Sequence, residues 1–193
     1  MFEKHKIHEE YFYAKYKRGI NNPMVGLSGG TSSIFYHKKP LEKDRIKFMN
    51  FGGIQPVPSN AELTDYIGVP DSVVSKRIYD ILHPLNIHGI QLLPSAVYLN
   101  GEKYEGYWAI HIWNYIKCID VEASDVEITM AGVYGGRIVI DAKRFEKIPL
   151  KERLIFRSEE GEMLKIFHKT IVEKILAVKP TGLVFTSLLD HRH

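Results

Sequence analysis

Asp120, Glu122, Asp125 and Glu127 crowd into one short stretch, and residues 118–128 around them contain no Lys or Arg. Carboxylates at this density can hold a hard cation or present a negative surface to a partner. From Asp120 the oxygens fall at alternate positions, as at the start of a calcium loop. The sixth position, however, is Asp125 rather than Gly, and the twelfth is Ala131 rather than a bidentate Glu. No metal is therefore expected there. The plain reading is a solvated acidic turn, and the functional reading is a contact surface for a cationic partner, since complementary potentials steer association.

Other chemistry-bearing residues are less well placed. Gly26-Leu27-Ser28-Gly29-Gly30-Thr31-Ser32-Ser33 has the composition of a phosphate-cradling loop but lacks the Lys and the following helix that such a loop needs. It reads as a surface loop. His5 and His8 lie three apart near the N-terminus, and His191 and His193 flank Arg192, with no carboxylate motif of the catalytic zinc type beside them. His111, inside an apolar strand, reads as a hydrogen-bonded core histidine, and His168 as a surface residue. Cys118 follows Lys117, which could lower its pKa, but an unpaired Cys amid apolar neighbours reads as a buried, inert thiol. There is no Gly-x-Ser-x-Gly elbow. Catalytic residues, cofactor and metal are all expected to be none.

Some of these residues need a core to position them, and composition supplies it. The 193 residues are 45% hydrophobic and 25% charged, which is globular. The net charge of +3 is too mild to imply nucleic-acid binding. No apolar run reaches the roughly 18 residues of a membrane span, and the N-terminus has no secretory h-region. With its single cysteine, the chain is expected in the cytoplasm, with neither nucleic acid nor membrane as partner. Against the acidic stretch stands a basic one at 37–47, with Lys38, Lys39, Lys43, Arg45 and Lys47 against Glu42 and Asp44.

The elements follow from spacing. Tyr11–Tyr16 and 46–51 read as strands, the former an ordinary edge strand, with loop over 19–34 except for a strand-like Ile34-Phe35-Tyr36. Asp71 caps a helix over 72–83 whose apolar face is Val74, Ile78, Ile81 and Leu82, and Pro84 ends it. Strands at 88–99 and 104–116 join across Asn100-Gly101 in a hairpin, the second strand central. Tyr104, Tyr107, Trp108 and Trp113 are expected in the core. Further strands are expected at 125–130, 137–141, 153–158 and 162–167. A helix then runs from Thr170 to Val178, burying Ile171, Ile175 and Leu176, before a last strand from Gly182. The result is an α+β fold, a mainly antiparallel sheet with two or more helices packed on it. Residues 1–59 read as a β-rich segment and 60–193 as the α+β domain, the whole forming one compact unit.

Ile87-His88-Gly89-Ile90-Gln91-Leu92-Leu93-Pro94, then Tyr107-Trp108-Ala109-Ile110-His111-Ile112-Trp113-Asn114, Cys118-Ile119-Asp120 and Ser124 stand in a particular order. Leu154-Ile155-Phe156-Arg157, a helix and Thr181-Gly182-Leu183-Val184-Phe185 complete it. Over residues 60–188 this order resembles a bacterial family first described as a domain of unknown function. That family is now assigned to immunity proteins of polymorphic-toxin systems, with a myxobacterial member as its type. The resemblance implies a small cytoplasmic toxin inhibitor of interbacterial competition, not an enzyme, whose partner is a cognate toxin domain. It carries over no catalytic residue, and Gly89, Pro94, Asn114 and Gly182 match it as structural positions. Asp120, Glu122, Asp125 and Glu127 are the expected toxin contacts on charge alone. The rival readings are an enzyme (a hydrolase, or one reversing toxin damage) whose site assembles from separate strands, and a toxin-independent adaptor or ligand-binding module.

Overall fold

The structure, a computed structural model, describes residues 5–42, 48–54, 56–68, 71–129 and 132–191. Lys43, Asp44, Arg45 and Lys47 of the basic stretch, Ala131, Arg192 and His193 lie outside them. In chain order the strands are β1 (Tyr11–Tyr16), β2 (Val25–Leu27), β3 (Met49–Gly53), β4 (Tyr66–Ile67), β5 (Ser72–Ser75), β6 (Ile90–Leu99) and β7 (Glu102–Ile112). There follow β8 (Tyr115–Ile116), β9 (Val126–Thr129), β10 (Gly132–Gly135), β11 (Ile155–Ser158), β12 (Lys165–His168) and β13 (Leu183–Ser187). The α-helices are α1 (Lys76–Leu82), α2 (Ala142–Phe145) and α3 (Lys169–Ala177).

Two sheets and a separate ribbon result, rather than one mainly antiparallel sheet. The first sheet has the order β13-β1-β12-β11-β8, the second β2-β3-β6-β7-β5-β4, and among the described residues β9 pairs only with β10. The α+β class holds, but both sheets are mixed, because β3 runs parallel to β6 and β8 parallel to β11. The chain changes sheets between Ile112 and Tyr115, so the expected strand over 104–116 is split. Trp113 and Asn114 make the corner, donating their backbone N–H groups to the Gly89 carbonyl.

Alternation along the strands builds three apolar layers. Tyr11, Tyr13, Phe156 and Ile166 face a core shared with Ile138, Ile140 and Phe145. On the other face of the same sheet, Ile155 and Phe167 meet Ile110 and Ile112 of β7 together with Ile78 and Leu82 of α1 and Ile171, Val172 and Ile175 of α3. Beyond the second sheet, Val73, Leu93, Val97, Ala109 and Phe51 pack with Val25 and Ile34. The two sheets are thus joined by a middle layer that includes two helices.

The hairpin is as its turn residues require: Asn100 (φ 51°) and Gly101 (φ 86°) both take positive φ between β6 and β7, and β7 is central. Several other expectations are corrected. Ser72–Ser75 is strand, not the first turn of a helix, because β-branched Val73 and Val74 are stiff in a helix and here pair with Ala109 and Trp108. Helix α1 begins only at Lys76, so Asp71 does not cap it. β1 is interior, flanked by β12 and β13, since both of its faces carry rings or methyls that the neighbouring layers cover. Val25–Leu27 is a strand within the expected loop, whereas Ile34 and Phe35 are buried without forming one. Residues 137–141 contribute only an isolated bridge, Ile119 to Ile140. Leu176 is 47% exposed, Val172 taking its place on the buried face of α3. Tyr104, at the tip of the long hairpin, is likewise partly exposed rather than core.

Candidate functional site

The four acidic residues sit on a turn and on the ribbon that follows it. Asp120 is half-buried, and its carboxylate accepts from the Ala123 backbone N–H at 3.1 Å, closing the turn. Ser124 donates to the Asp120 carbonyl at 2.6 Å and accepts from the Val139 N–H at 2.9 Å, which fastens the turn to the core. Glu122, Asp125 and Glu127 are exposed. Beside them stand two exposed apolar side chains, Val121 at 51% and Tyr134 at 42%. Asp125, Glu127 and Tyr134 together line a shallow hollow. Asp125 and Glu127 thus share one exposed hollow, Glu122 is exposed on the turn before them, and Asp120 holds that turn. Among the described residues, no group of three or more His, Cys, Asp and Glu could hold a metal ion.

A second cluster had no sequence signal. Arg157 on β11 and Lys165 on β12 are direct cross-strand partners, and both are buried. Like charges so placed repel, more strongly in an apolar interior. They share the face of Ile155 and Phe167, so they point into the layer between the sheets. Arg157 donates from Nη1 to the Phe35 carbonyl at 2.8 Å and to Tyr115 Oη at 3.0 Å, and its guanidinium lies 4.0 Å from the Phe35 ring centre. Lys165 donates to Ser72 Oγ at 2.5 Å, and Ser72 Oγ lies 2.8 Å from Tyr66 Oη. The Asp71 carboxylate completes the set, accepting from Ser33 Oγ at 2.9 Å.

Burial and charge set the protonation of this cluster. Burial, reinforced by Arg157 and opposed by Asp71, pulls Lys165 down to about 7. Burial pushes Asp71 up, against the opposing pull of Ser33, Lys165 and Arg157. A lysine near neutrality bonded to a serine hydroxyl has the elements of an activated nucleophile. Here Ser72 is 1% exposed, so its hydroxyl is held inside the chain. Arg157 and Lys165 lie on consecutive strands, β11 and β12, whereas Asp71 is far from both in sequence and is brought to them by the packing of β5.

The remaining candidates take structural positions. Cys118 is fully buried; burial first and Glu160 second push its thiol up, as expected of an inert cysteine. His111 is buried, with Nε2 2.9 Å from the Lys39 carbonyl, and burial lowers its pKa. His168 is corrected from surface to interior: it is 4% exposed, and its Nδ1 accepts from the Thr170 N–H, capping α3. His8 is also buried, with Nε2 3.0 Å from the Ile140 carbonyl. The Gly/Ser loop lines a cavity of about 400 Å³ with His37, Leu41, Phe48, Met49, Asn50 and Leu93.

Residues 55–190 match the Immunity protein family (Imm11). The chain belongs to this immunity family. The match covers β4 to β13, with Asp71, Arg157, Lys165 and the acidic turn inside it, and leaves β1, β2 and β3 outside. It also brackets the span over which the sequence resembles immunity proteins. No curated protein matches the chain. Among the described residues, no helix is long and apolar enough to cross a membrane.

Proposed function

We propose that this immunity-family protein binds a cognate toxin domain in the bacterial cytoplasm and neutralises it by covering a surface the toxin needs for activity. The family match over residues 55–190 carries the reading. We further propose Asp120, Glu122, Asp125 and Glu127 as the contact region, the exposed members meeting cationic groups of the toxin and Asp120 holding the turn in shape. Val121 and Tyr134 give the rim apolar anchors of the kind that interfaces concentrate. Inhibition has to outrun damage, and opposite potentials raise association rates in a salt-dependent way.

Growth rescue and co-purification with a candidate toxin domain test the function, neighbouring genes being the first place to seek one. Rescue with a stable complex is expected; neither rescue nor complex would sink the reading. For the surface, the Glu122→Lys/Glu127→Lys variant leaves the Asp120 turn intact. Its association rate is expected to fall at least about tenfold at low salt, with a flatter salt dependence. An unchanged rate and salt slope would remove the patch.

A further inference from the structure

The chain enters the acidic turn alongside β11. The Arg157 N–H donates to the Asn114 carbonyl at 2.9 Å, and the Glu159 N–H to the Ile116 carbonyl at 3.1 Å. Past Ile116 a side chain takes over from backbone pairing on this side. Glu160 accepts from the Ile119 N–H through Oε1 at 3.1 Å and from the Cys118 N–H through Oε2 at 3.3 Å. Ser158 Oγ donates to the same Oε2 at 2.6 Å and accepts from the Glu160 N–H at 3.2 Å, which fixes the carboxylate itself. On the opposite side, the Asp141 N–H donates to the Cys118 carbonyl at 2.9 Å, and the Asp120 N–H to the Val139 carbonyl at 2.8 Å. Residues 118–120 are thus gripped from both sides immediately before the turn.

Cys118 and Ile119 are both buried, and buried N–H groups that lose their acceptor are costly. Bonds from backbone N–H groups to a carboxylate are also stronger than bonds to a carbonyl. Without Glu160 the chain can satisfy these donors only by swinging towards solvent, and Asp120 and the turn that it closes would shift with it. A surface already in its bound shape loses less freedom on association. We propose that Glu160 is the positioning residue of the acidic turn. It acts through the backbone of Cys118 and Ile119, not by contact with a partner, and so sets how Glu122 and Asp125 are presented. The role rests on the turn being the toxin contact and adds the residue that shapes it.

Amide exchange of the full-length protein reads this without a toxin. Glu160→Ala is expected to speed exchange at Ile119 and through 120–125 at least about tenfold, with β6 and β7 unchanged. Glu160→Gln makes the same charge change, yet its oxygen can keep the Ile119 bond while its amide donates to Ser158 Oγ. It is expected to keep most of the protection. Unchanged exchange in the Ala variant, an equal rise in β6 and β7, or a Gln variant no better than Ala overturns the proposal. Should Glu160→Ala not fold, Ser158→Ala frees the carboxylate and is expected to give the same local pattern; no local change there overturns it. With a toxin domain that binds the wild-type protein, Glu160→Ala should weaken the complex at least about tenfold without altering its salt slope, and Glu160→Gln under about threefold. Equal losses would make the effect one of charge and overturn the positioning role. Local exchange changes in a protein that binds no toxin would sink the contact reading and leave the hold of Glu160 on the turn standing.

Discussion

Lys165 shows how far surroundings can move a residue from its intrinsic chemistry. Its ammonium faces the Arg157 guanidinium across a strand pair in the interior, and its pKa falls from 10.5 to about 7. The folded chain therefore binds fewer protons at this site than the unfolded chain between about pH 7 and 10.5. Stability from this group must rise with pH through that window and level off below it. Relative to Lys165→Met, the wild-type protein should gain a few kcal/mol between pH 7 and 10, read from urea denaturation at several pH values. Parallel pH profiles for the two proteins would show that Lys165 does not titrate there. Asp71 runs the opposite way: its raised pKa means that its ionised form is disfavoured, and its neighbours, not its intrinsic acidity, keep the carboxylate in place.

At the scale of elements, the corner between β7 and β8 is the point on which the two sheets depend. Gly89 sits at φ 83°, and a Cβ there would stand 2.2 Å from that of Asn114, whose amide donates to the Glu152 carbonyl at 2.6 Å. Gly89→Ala combines backbone strain with a clash that no rotamer relieves. It should cost at least about 2 kcal/mol by chemical denaturation, and more than Ala at exposed Gly106, which meets the backbone strain of φ 80° but no clash. A second contrast tests the face of α3. Ile175→Ala removes a fully buried side chain and is expected to cost about 2–4 kcal/mol, while Leu176→Ala should cost under about 1. Equal losses would place the helix on a different face. The periodicity of 170–178 was readable, but Val172 and Leu176 are both apolar, and only docking against β12 and α1 chose between them.

For the whole molecule, the N-terminal strands matter most. β1 contributes Tyr11 and Tyr13 to one core and Phe12, Ala14 and Tyr16 to another, while pairing with β12 and β13. A chain reduced to residues 60–193 would lose this interior strand and leave two apolar faces and two strand edges open. It is expected not to unfold cooperatively by circular dichroism; a sharp two-state transition would show that the family-matched part is autonomous.

The sequence alone determined whatever depends on neighbours along the chain. Asn100-Gly101 dictates its turn and so marks β6 and β7 on either side, β-prone residues mark β1, and a single cysteine forbids an internal disulfide. The order of apolar runs was enough to show kinship with immunity proteins, because a family pattern is itself a linear record. What only the tertiary structure decided depends on distant partners. Val73 and Val74 became strand because β7 was there to pair with them. Asp71 met Arg157 and Lys165 because strand pairing and the crossing segment that carries Ser33 brought them together, and the interior that encloses them then shifted the protonation of Lys165 and Asp71. Local sterics are encoded residue by residue, whereas burial and long-range electrostatics exist only once the chain has closed around them.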